Sequence, residues 1–588
     1  MSKYLNRKSN FHLRPVNDIA CATEQVQVGW ELVAQQLLDT ARDKQARVIA
    51  IDCYPGCDVA CIIENLSAYM AEFQFFEAEQ AAIDKKALAE KLEPHVTEDR
   101  VFGKYYGGPL SDFYDPEKVA VLQREIENSE LPAVIVGFGA TLLMAADLTL
   151  LADMPRWEIE RRQRAGATNW NTDNADEEPL RKFKRGYFIE WRVADKHKTQ
   201  LMQRIDYLLE TVDNSVPKLV DGALFRSALT QVARRPFRVV PCFDPGPWGG
   251  QWLREVCDLP DGPPNYAWSF DCIIEANSLL LGFAGIEVEI PALNLVLFDP
   301  VAMLGEKVYA RFGAEFPIRF NFLDTMQGGN LSLQVHPLPD YLKDVFGFPY
   351  PQDESYYVME ADDDACVYLG IQNGIDGTAM VPALEQAQQG GSPFEAEKYV
   401  NKWPAKKHDH FLIPAGTVHA SGRNTCVLEI SSTPYIFTFK LWDWGRLGMD
   451  GKPRPVHINH GKEVICYERD TDWTKQQLIN QFEPIGSGDG WEEDKTGLHD
   501  LEFIETRRHW FEKSVEHDTR GESFQVLNLI EGEQVLVESP ENKFLPLEVH
   551  YAETFIVPSA VGRYRVTPDA KGANQTAKMG TIKAFVRT

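Results

Sequence analysis

The chain has 588 residues, of which 60 are Lys or Arg and 87 are Asp or Glu, so its formal net charge is −27 at pH 7. At roughly 150 residues per domain, this length predicts two to four domains. The shares of hydrophobic (44%) and aromatic (11%) residues are those of a folded globular protein and exclude a disordered or fibrous one. The acidic balance argues against nucleic acid or an anionic membrane as a partner, because both need a dense Lys/Arg surface.

The N-terminal segment MSKYLNRKSNFHLRP has neither an apolar stretch nor a cleavage-site pattern, so we predict no signal peptide. The most apolar runs, Ser278–Ala284 and Leu293–Phe298, are too short to span a bilayer. Cys53, Cys57 and Cys61 follow one another at intervals of four, which could place three thiols on one helical face, but no fourth ligand or CxxC pair accompanies them. We therefore expect a cytoplasmic protein without a membrane partner, and a homo-oligomer is compatible with this sequence.

Three regions differ in their residue patterns. Residues 1–217 alternate short β-rich runs with long polar helices, which indicates an α/β domain. Residues 218–486 are rich in predicted strands, Gly and Pro, and residues 487–588 consist of short strands and turns. We predict one α/β domain followed by two mainly β domains with these boundaries, and we interpret Ser487–Lys495 (SGDGWEEDK) as a linker.

Within the first region, the pattern predicts strands at Arg47–Asp52, Ala133–Val136 and Leu148–Ala152. It predicts helices at Met154–Ala165 and Lys198–Val212, and a loop at Thr168–Leu180. The segments RVIAIDCYPG and VIVGFG, with DLTLLADMPRWEIERRQRAG after them, resemble a nucleoside-kinase-like P-loop domain.

That resemblance implies a strand that ends at Asp153, followed by a lid helix whose arginines contact phosphate: Arg156, Arg161, Arg162 and Arg164. The turn Cys53–Asp58 (CYPGCD), however, has no Lys-Ser/Thr pair, and Asp58 adds a carboxylate where an anion would bind. We predict a degenerate kinase-like domain that serves packing or regulation. Sensing of a nucleotide or sugar phosphate remains an alternative, and a live kinase is disfavoured.

The second region contains residues suited to binding a metal ion. In the strand LSLQVHP, Gln334 and His336 lie on one face because side chains alternate. The strand DESYYV adds Glu354, and a Pro-Ala-Gly turn leads to His419 at the start of the next strand. Two imidazoles, one carboxylate and one amide oxygen suit zinc or a similar divalent ion with an open coordination position.

The segments LSLQVHP, DESYYVM, FLIPAGTVHASG, CVLEI and FTFKLWDWGR resemble class I mannose-6-phosphate isomerase, a zinc-dependent cupin family. PCFDPGPWGGQWL resembles that family's Trp-Gly segment, and the resemblance covers roughly residues 238–461. It implies a jelly-roll cupin domain that interconverts mannose 6-phosphate and fructose 6-phosphate through a cis-enediol. It also implies one Zn²⁺ per chain (another divalent ion is an alternative) and four metal ligands: Gln334, His336, Glu354 and His419.

The same resemblance implies Glu429, Lys440 and Arg446 as catalytic residues, and Trp248, Arg423 and Asp443 as substrate-binding residues. Two positions depart from the family. Gln352 stands where a Lys is usual, and Lys440 stands where an Arg is usual, which keeps the charge but loses bidentate geometry. The phosphate of a hexose 6-phosphate would need basic residues. Several lie near these segments in the sequence: Lys406, Lys407, Arg423, Arg446 and Arg454.

The third region resembles a second cupin half, from FQVLNLIEGEQVLV to YAETFIVPSAVGRY. Val561 and Tyr564 stand where a His would be needed, and Glu553 alone does not make a metal site, so we predict a metal-free barrel. The departures at Gln352 and Lys440 leave a non-catalytic sugar-phosphate sensor as the main alternative function. A bifunctional kinase–isomerase and an iron-dependent cupin oxygenase are further alternatives.

Overall fold

The computed structural model of the protein describes residues 3–21, 26–497, 499–569 and 578–588. The chain divides into two compact units. The α/β unit comprises Val16–Val232 and Glu275–Asp299, and the barrel unit comprises Met1–Pro15, Ala233–Ile274 and Pro300–Thr588. Across the described ranges, no helix combines the length and the apolar character needed to cross a membrane.

The secondary structure of the chain up to residue 299 contains the following strands: β1 (Val16–Ile19), β2 (Val26–Val28), β3 (Val48–Cys53), β4 (Gln74–Glu77), β5 (Ala133–Gly137), β6 (Leu148–Asp153), β7 (Tyr207–Glu210), β8 (Lys218–Asp221), β9 (Cys242–Asp244), β10 (Trp268–Cys272), β11 (Ser278–Phe283) and β12 (Ile286–Pro291). Its α-helices are α1 (Trp30–Lys44), α2 (Val59–Tyr69), α3 (Lys85–Val96), α4 (Pro116–Glu127), α5 (Ala140–Leu143), α6 (Arg156–Arg164), α7 (Pro179–Arg185), α8 (Trp191–Met202), α9 (Gly222–Val232), α10 (Trp252–Val256) and α11 (Leu293–Phe298). Two 3₁₀ helices and one π-helical segment lie at Ala78–Ala81, Leu110–Phe113 and Gly186–Glu190.

From residue 300 onward, strands predominate: β13 (Arg319–Asp324), β14 (Leu333–Val335), β15 (Asp353–Ala361), β16 (Cys366–Ile371), β17 (Val400–Pro404), β18 (His410–Ile413), β19 (His419–Ser421), β20 (Thr425–Ser432), β21 (Phe439–Trp442), β22 (Glu483–Gly488), β23 (Trp491–Gly497), β24 (Ile504–Phe511), β25 (Val515–Asp518), β26 (Gln525–Glu531), β27 (Gln534–Glu538), β28 (Leu547–His550), β29 (Thr554–Val557), β30 (Arg563–Pro568) and β31 (Met579–Val586). The helices are α12 (Pro300–Leu304), α13 (Glu306–Phe312), α14 (Pro339–Phe346), α15 (Gly377–Gln388), α16 (Ala396–Tyr399), α17 (Ile458–Gly461), α18 (Thr471–Gln477) and a 3₁₀ turn at Ser559–Val561.

The α/β unit is built on a sheet of order β2-β8-β7-β6-β3-β5-β4, in which β4, β5, β3, β6 and β7 run parallel. The predicted strands at β3, β5 and β6 are confirmed, since apolar runs of this kind are buried on both faces of a parallel sheet. The helix predicted from Met154 is confirmed as α6. The helix predicted at Lys198–Val212 is wrong in its second half, because α8 ends at Met202 and the apolar run at 207–210 becomes the buried strand β7.

The α/β unit continues past the predicted boundary at residue 217. Strand β8 pairs antiparallel with β7 at the sheet edge, and α9 extends the unit to Val232. A separate sheet explains why residues 275–299 belong here: β1 pairs parallel with β11, which forms a hairpin with β12. The boundary of the α/β unit thus depends on pairing between strands that are distant in the sequence, which local sequence patterns do not encode.

The barrel unit contains two barrels, each made of two antiparallel sheets. The first barrel has sheets of order β18-β15-β20-β13-β10-β9 and β17-β16-β19-β14-β21. The second has sheets of order β22-β23-β24-β31-β26-β29 and β25-β30-β27-β28. The prediction of a multidomain chain that is mainly β after its first unit is confirmed.

The two barrels share one topology. Six strand pairings of the first barrel recur in the second, in the same order. In the first barrel they are β13–β20, β20–β15, β15–β18, β17–β16, β16–β19 and β19–β14. In the second they are β24–β31, β31–β26, β26–β29, β28–β27, β27–β30 and β30–β25. A common core lies between the sheets of the second barrel, with Leu527 and Leu529 from one and Val537 and Val566 from the other. The predicted linker Ser487–Lys495 is wrong: this segment lies in the β22–β23 hairpin, which continues the sheet outward from β24.

Candidate metal centre

Three side chains converge inside the first barrel. Glu354, on β15 of one sheet, meets His336 and His419 from the other. His336 Nε2 lies 3.1 Å from Glu354 Oε2, and His419 Nε2 lies 2.8 Å from Glu354 Oε1. All three side chains are buried, and one potential ligand atom from each lies within 4.8 Å of the others. In the described ranges, this is the one such group of three or more His, Cys, Asp or Glu residues.

Both imidazoles present the same nitrogen to this centre. His336 Nδ1 lies 2.9 Å from the Phe437 carbonyl oxygen, and His419 Nδ1 lies 2.9 Å from that of Thr417. Because a carbonyl only accepts, each Nδ1 carries a proton, and Nε2 is the nitrogen that each ring offers to a metal ion. This is the tautomer that a metal ligand requires, so the donor set fits a divalent ion.

Two glutamines flank the three ligands. Gln334 is the cross-strand partner of His419, and its side-chain amide nitrogen lies 3.1 Å from His419 Nε2. Gln352 Nε2 donates to Glu354 Oε2 at 2.9 Å. The structure thus brings together all four predicted ligands, and it adds Gln352 as the group that holds the carboxylate.

The charges of the centre follow from burial and from these contacts. Burial alone raises the pKa of Glu354, but the two adjacent imidazoles outweigh it and hold that pKa well below the ordinary value. For His336, burial lowers the pKa and the Glu354 carboxylate raises it, with a net increase. Glu354 is therefore anionic at neutral pH, as a metal ligand must be.

Glu429 lies on the same inner face as Glu354. It is the cross-strand partner of Tyr356, two residues after Glu354, and of Asn321. Glu429 Oε1 accepts hydrogen bonds from Ser431 Oγ (2.9 Å) and Asn321 Nδ2 (3.4 Å). Burial and then the charge of Glu354 raise the pKa of Glu429 to about 8. The structure therefore brings this predicted residue to the centre as a buried carboxyl group with a raised pKa.

Lys440 lies directly opposite Gln334 in the β14–β21 pairing, so the two side chains share a face of the sheet. It is only partly buried. Trp248 is fully buried, and its ring packs edge-on against Trp268 at 4.7 Å between centroids. The structure thus places Lys440 beside β14, the strand of Gln334. It places Trp248 in a packing contact with Trp268.

Asp443 connects two arginines after β21. Arg446 Nη2 lies 2.6 Å from Asp443 Oδ1, and Arg454 Nη1 lies 3.1 Å from Asp443 Oδ2. Arg454 also donates to Ser332 Oγ (3.4 Å), next to the strand that carries Gln334. The two guanidinium groups around one carboxylate leave a net positive charge beside the ligand strand.

The other basic candidates lie apart from the ligands. Arg423 sits in the exposed turn between β19 and β20, where its guanidinium pairs with Asp364. Lys407 pairs with Glu531 of the second barrel at 2.9 Å. Lys406 uses its backbone N–H to bind Asp409. The structure does not bring these three side chains to the metal centre.

Sequence reasoning missed a residue that supports the centre. Arg469 is buried, and its Nη1 donates to the carbonyl oxygens of Pro414 (2.7 Å) and Ala415 (2.6 Å) and to Thr417 Oγ1 (2.5 Å). These groups form the turn that delivers His419. Arg469 follows His419 by fifty positions and belongs to no strand, so no local pattern could link the two.

In the turn Cys53–Asp58, predicted to lack a phosphate site, the carboxylate of Asp58 binds to the N-terminus of the following helix. Asp58 caps α2, and its carboxylate accepts from the Cys61 N–H at 3.0 Å. A helix N-terminus occupied in this way offers no free site for phosphate. Cys53 ends β3 and Cys61 lies in α2, and neither joins a potential metal group within the part of the chain that the structure describes.

The arginines of α6 are engaged within the α/β unit. Arg156 pairs with Asp195, Arg161 and Arg162 each pair with Glu158 at 2.7 Å, and Arg164 pairs with Glu160 at 3.6 Å. Asp153 is buried and accepts from Lys198 Nζ (3.2 Å) and Asn294 Nδ2 (2.8 Å). These ion pairs hold α6 in place and partly neutralise its positive charge.

The chain is similar to known proteins over parts of its length. A family model described as "Domain of unknown function (DUF8485)" matches residues 29–234. The chain is 27% identical over 234 residues (39% of this chain, 68% of the relative) to "Probable mannose-6-phosphate isomerase GmuF" of Bacillus subtilis. It is 25% identical over 236 residues (40% and 69%) to "Mannose-6-phosphate isomerase" of Streptococcus mutans. The crystal structure of mannose 6-phosphate isomerase from Bacillus subtilis aligns with 60% of this chain and 99% of its own, at 17% identity and a TM-score of 0.47.

Proposed function

We propose that the first barrel is a metal-dependent aldose–ketose isomerase that interconverts mannose 6-phosphate and fructose 6-phosphate through a cis-enediol. The observation that carries this proposal is the buried convergence of His336, Glu354 and His419 with both Nε2 atoms directed inward. The relatives named mannose-6-phosphate isomerase support the same reaction class. The reaction moves a proton between C1 and C2 and needs no redox cofactor.

Gln334, His336, Glu354 and His419 would hold one divalent ion, for which the His-rich set with a single carboxylate favours Zn²⁺. When bound, the ion supplies positive charge that polarises the oxygen atoms at C1 and C2. Gln352 keeps the Glu354 carboxylate oriented through its 2.9 Å hydrogen bond. Gln352 is neutral, so it orients the carboxylate without adding a charge to the centre.

The proton transfer falls to Glu429. Its carboxylate takes the proton from C2 of mannose 6-phosphate, the C–H electron pair forms the C1–C2 double bond of the enediol, and the same proton returns to C1. The hydroxyl proton moves from O2 to O1. Ser431 and Asn321 hold its carboxyl group in place through hydrogen bonds, as a positioned acid–base group requires. Lys440, on the face of Gln334, supplies positive charge for the enediolate.

Arg446 and Arg454 are the basic groups that we assign to the substrate phosphate, with Asp443 as the carboxylate that positions them. Their net positive charge lies beside the ligand strand, whereas Arg423 is paired at the surface. This local field explains how a chain of net charge −27 can admit an anionic sugar phosphate.

A sugar-phosphate sensor without turnover is the second candidate function. Gln352 and Lys440 favour it, because both depart from the residues usual at these positions. The Gln352 side-chain amide already donates its hydrogen bond to Glu354. For the α/β unit we propose a role in packing or regulation on a degenerate kinase-like fold, because its turn carries Asp58 and the arginines of α6 are paired internally.

The test is a coupled fructose 6-phosphate assay on the full chain, with elemental analysis of the same sample. We expect chelation to abolish isomerase activity, zinc to restore it, and one zinc to bind per chain. A zinc-loaded sample that turns over no hexose phosphate contradicts the isomerase, and saturable binding of fructose 6-phosphate in calorimetry without turnover supports the sensor. Iron in place of zinc would favour an oxygenase, and ATP binding would contradict the role proposed for the α/β unit.

A further inference from the structure

The chain leaves β21 through a tight turn, Asp443–Arg446, with an unusual residue at its second position. The Arg446 N–H donates to the Asp443 carbonyl oxygen at 3.1 Å, which closes the turn. Both central residues have positive φ, 57° at Trp444 and 68° at Gly445, as in a type I′ turn, where Gly, Asn and Asp are favoured. Gly445 meets this requirement without strain, whereas the Cβ of a bulky residue such as Trp444 is crowded there, which costs free energy.

Two contacts hold Trp444 in this conformation. Its indole Nε1–H donates to the Leu331 carbonyl oxygen at 2.7 Å, and its ring packs on that of Tyr368 with centroids 5.3 Å apart. Leu331 lies two residues before β14, and Tyr368 lies on β16, so both contacts attach the turn to the sheet that carries Gln334 and His419. A strained residue persists only where its surroundings hold it, and such residues are concentrated at functional sites.

The turn sets the position of the Arg446 guanidinium group. Nε and Nη2 donate to Asp443 Oδ1 at 2.9 and 2.6 Å, and Asp443 Oδ2 lies 3.1 Å from Arg454 Nη1. A Cβ added to Gly329 would lie 3.3 Å from Arg446 Nη1, so the guanidinium group lies against the backbone of this glycine. Gly329 donates its N–H to the Trp248 carbonyl oxygen at 3.0 Å. Arg446 is thus close both to Asp443 and to the loop that contacts Trp248.

The Arg446 side chain remains partly exposed beside its ion pair with Asp443. It is 19% exposed, against 6% for Asp443, so solvent reaches the arginine. The Asp443 contact uses the edge formed by Nε and Nη2. Among the described residues, no carboxylate pairs with the edge formed by Nη1 and Nη2. An edge of this kind, with parallel N–H groups, matches two oxygen atoms of a phosphate.

We infer that Trp444 is a positioning residue for phosphate recognition: by fixing the turn, it presents the Nη1–Nη2 edge of Arg446 to the phosphate of the substrate. This inference rests on the proposed function, which assigns Arg446 to the phosphate. A guanidinium group that is already oriented loses less side-chain freedom when the anion binds, so the anion binds more tightly. Because the phosphate is remote from C1 and C2, this contribution is equal in the ground state and the transition state and changes KM rather than kcat.

The test compares Trp444→Gly and Trp444→Phe in the full-length, zinc-loaded protein. Trp444→Gly removes both contacts, so the turn is no longer held. We expect KM for mannose 6-phosphate and the inhibition constant of inorganic phosphate to rise at least about tenfold, with kcat within about twofold of the native value and zinc content unchanged. Trp444→Phe keeps a ring against Tyr368 but loses the N–H, so both constants should rise less.

Trp403→Phe is the matched control. Trp403 also donates its indole N–H to a carbonyl oxygen of the same sheet, that of Leu369, at 2.9 Å. It lies on β17, at the opposite edge of this sheet from β21. Loss of its N–H should therefore leave KM and the inhibition constant of phosphate at their native values.

Three results overturn the inference while the proposed isomerase stands: native KM and phosphate inhibition in Trp444→Gly, a fall in kcat at native KM, or a loss of zinc that accompanies the rise in KM. A zinc-loaded native protein without turnover contradicts the proposed function instead. The affinity for inorganic phosphate, from ³¹P line width, then decides the role of Trp444, and equal affinity in the native protein and Trp444→Gly refutes it. If Trp444→Gly fails to fold by circular dichroism, Trp444→Phe decides alone.

Discussion

Glu429 differs from Glu354 in its partners, although both carboxyl groups lie on one buried face. Two imidazoles surround Glu354 and keep it charged, whereas Glu429 accepts only from neutral donors, Ser431 and Asn321. Burial and the neighbouring negative charge accordingly raise the pKa of Glu429 to about 8. Under the proposed function, the same residue type would serve as a metal ligand at position 354 and as a proton carrier at position 429.

For Glu429→Gln we expect kcat for mannose 6-phosphate isomerisation to fall about 10²–10⁴-fold, the usual contribution of a positioned acid–base group. Zinc content should stay at the native value, because Glu429 contributes no ligand. Glu360→Gln, on the same strand as Glu354 but at its outer end, is the control and should leave kcat unchanged. Native kcat in Glu429→Gln, measured in the coupled assay, would refute this role.

At the scale of single elements, the turn between β18 and β19 positions His419. It is held from two sides: Arg469 donates to Pro414 O, Ala415 O and Thr417 Oγ1, and Asp353 accepts from the Ala415 N–H at 2.8 Å. The Thr417 carbonyl in turn fixes the His419 tautomer. Arg469 is therefore a positioning residue for His419, which it reaches through the turn.

We expect Arg469→Met to weaken zinc affinity about 10–100-fold, the range seen when groups that orient metal ligands are lost. Competition with a chromogenic chelator measures this without any assay of turnover. Arg469→Lys should recover part of the affinity, because an ammonium group can donate to the same acceptors but stands on a shorter side chain than the guanidinium. Unchanged zinc affinity in a folded Arg469→Met protein would show that the turn holds its shape unaided.

Sequence patterns indicated the four candidate ligands because strand alternation and a Pro-Ala-Gly turn are local signals. Gln334, His336, Glu354 and His419 each stand in a short β-rich segment, and the structure brings them together. Arg469 acts across fifty residues, so alternation carries no information about it. Likewise, the polar, Gly-rich segment at 487–495 has a linker's composition, but pairing with β24 makes it a sheet hairpin. Tertiary pairing overrides local composition there.

At the scale of the whole molecule, one buried ion pair links distant parts of the barrel unit. Arg238 Nη1 lies 2.6 Å from Glu553 Oε1, and both side chains are no more than 2% exposed. The same carboxylate accepts from the backbone N–H of His12 (2.6 Å) and of His550 (2.8 Å). Glu553, which alone makes no metal site, thus connects the N-terminal arm, the segment before β9 and the second barrel.

We expect Glu553→Gln to lower the free energy of unfolding of the barrel unit by about 3–5 kcal/mol, because it removes the carboxylate that pairs with the buried Arg238 guanidinium. Urea unfolding followed by tryptophan fluorescence measures this loss. Glu541→Gln, which removes an exposed partner of Lys543, is the matched control and should leave the transition in place.

The stability lost in Glu553→Gln should become smaller as the pH falls. Burial raises the pKa of Glu553, but Arg238 outweighs it, and the net pKa is below the ordinary value. The carboxylate therefore stabilises the fold fully above the pKa of an unfolded Glu, about 4.3, and this contribution is lost as pH falls through the folded pKa. The difference in stability between the native protein and Glu553→Gln should be constant from pH 6 to 8 and shrink in acid. A difference that grew in acid would mean that the ion pair does not hold these segments together.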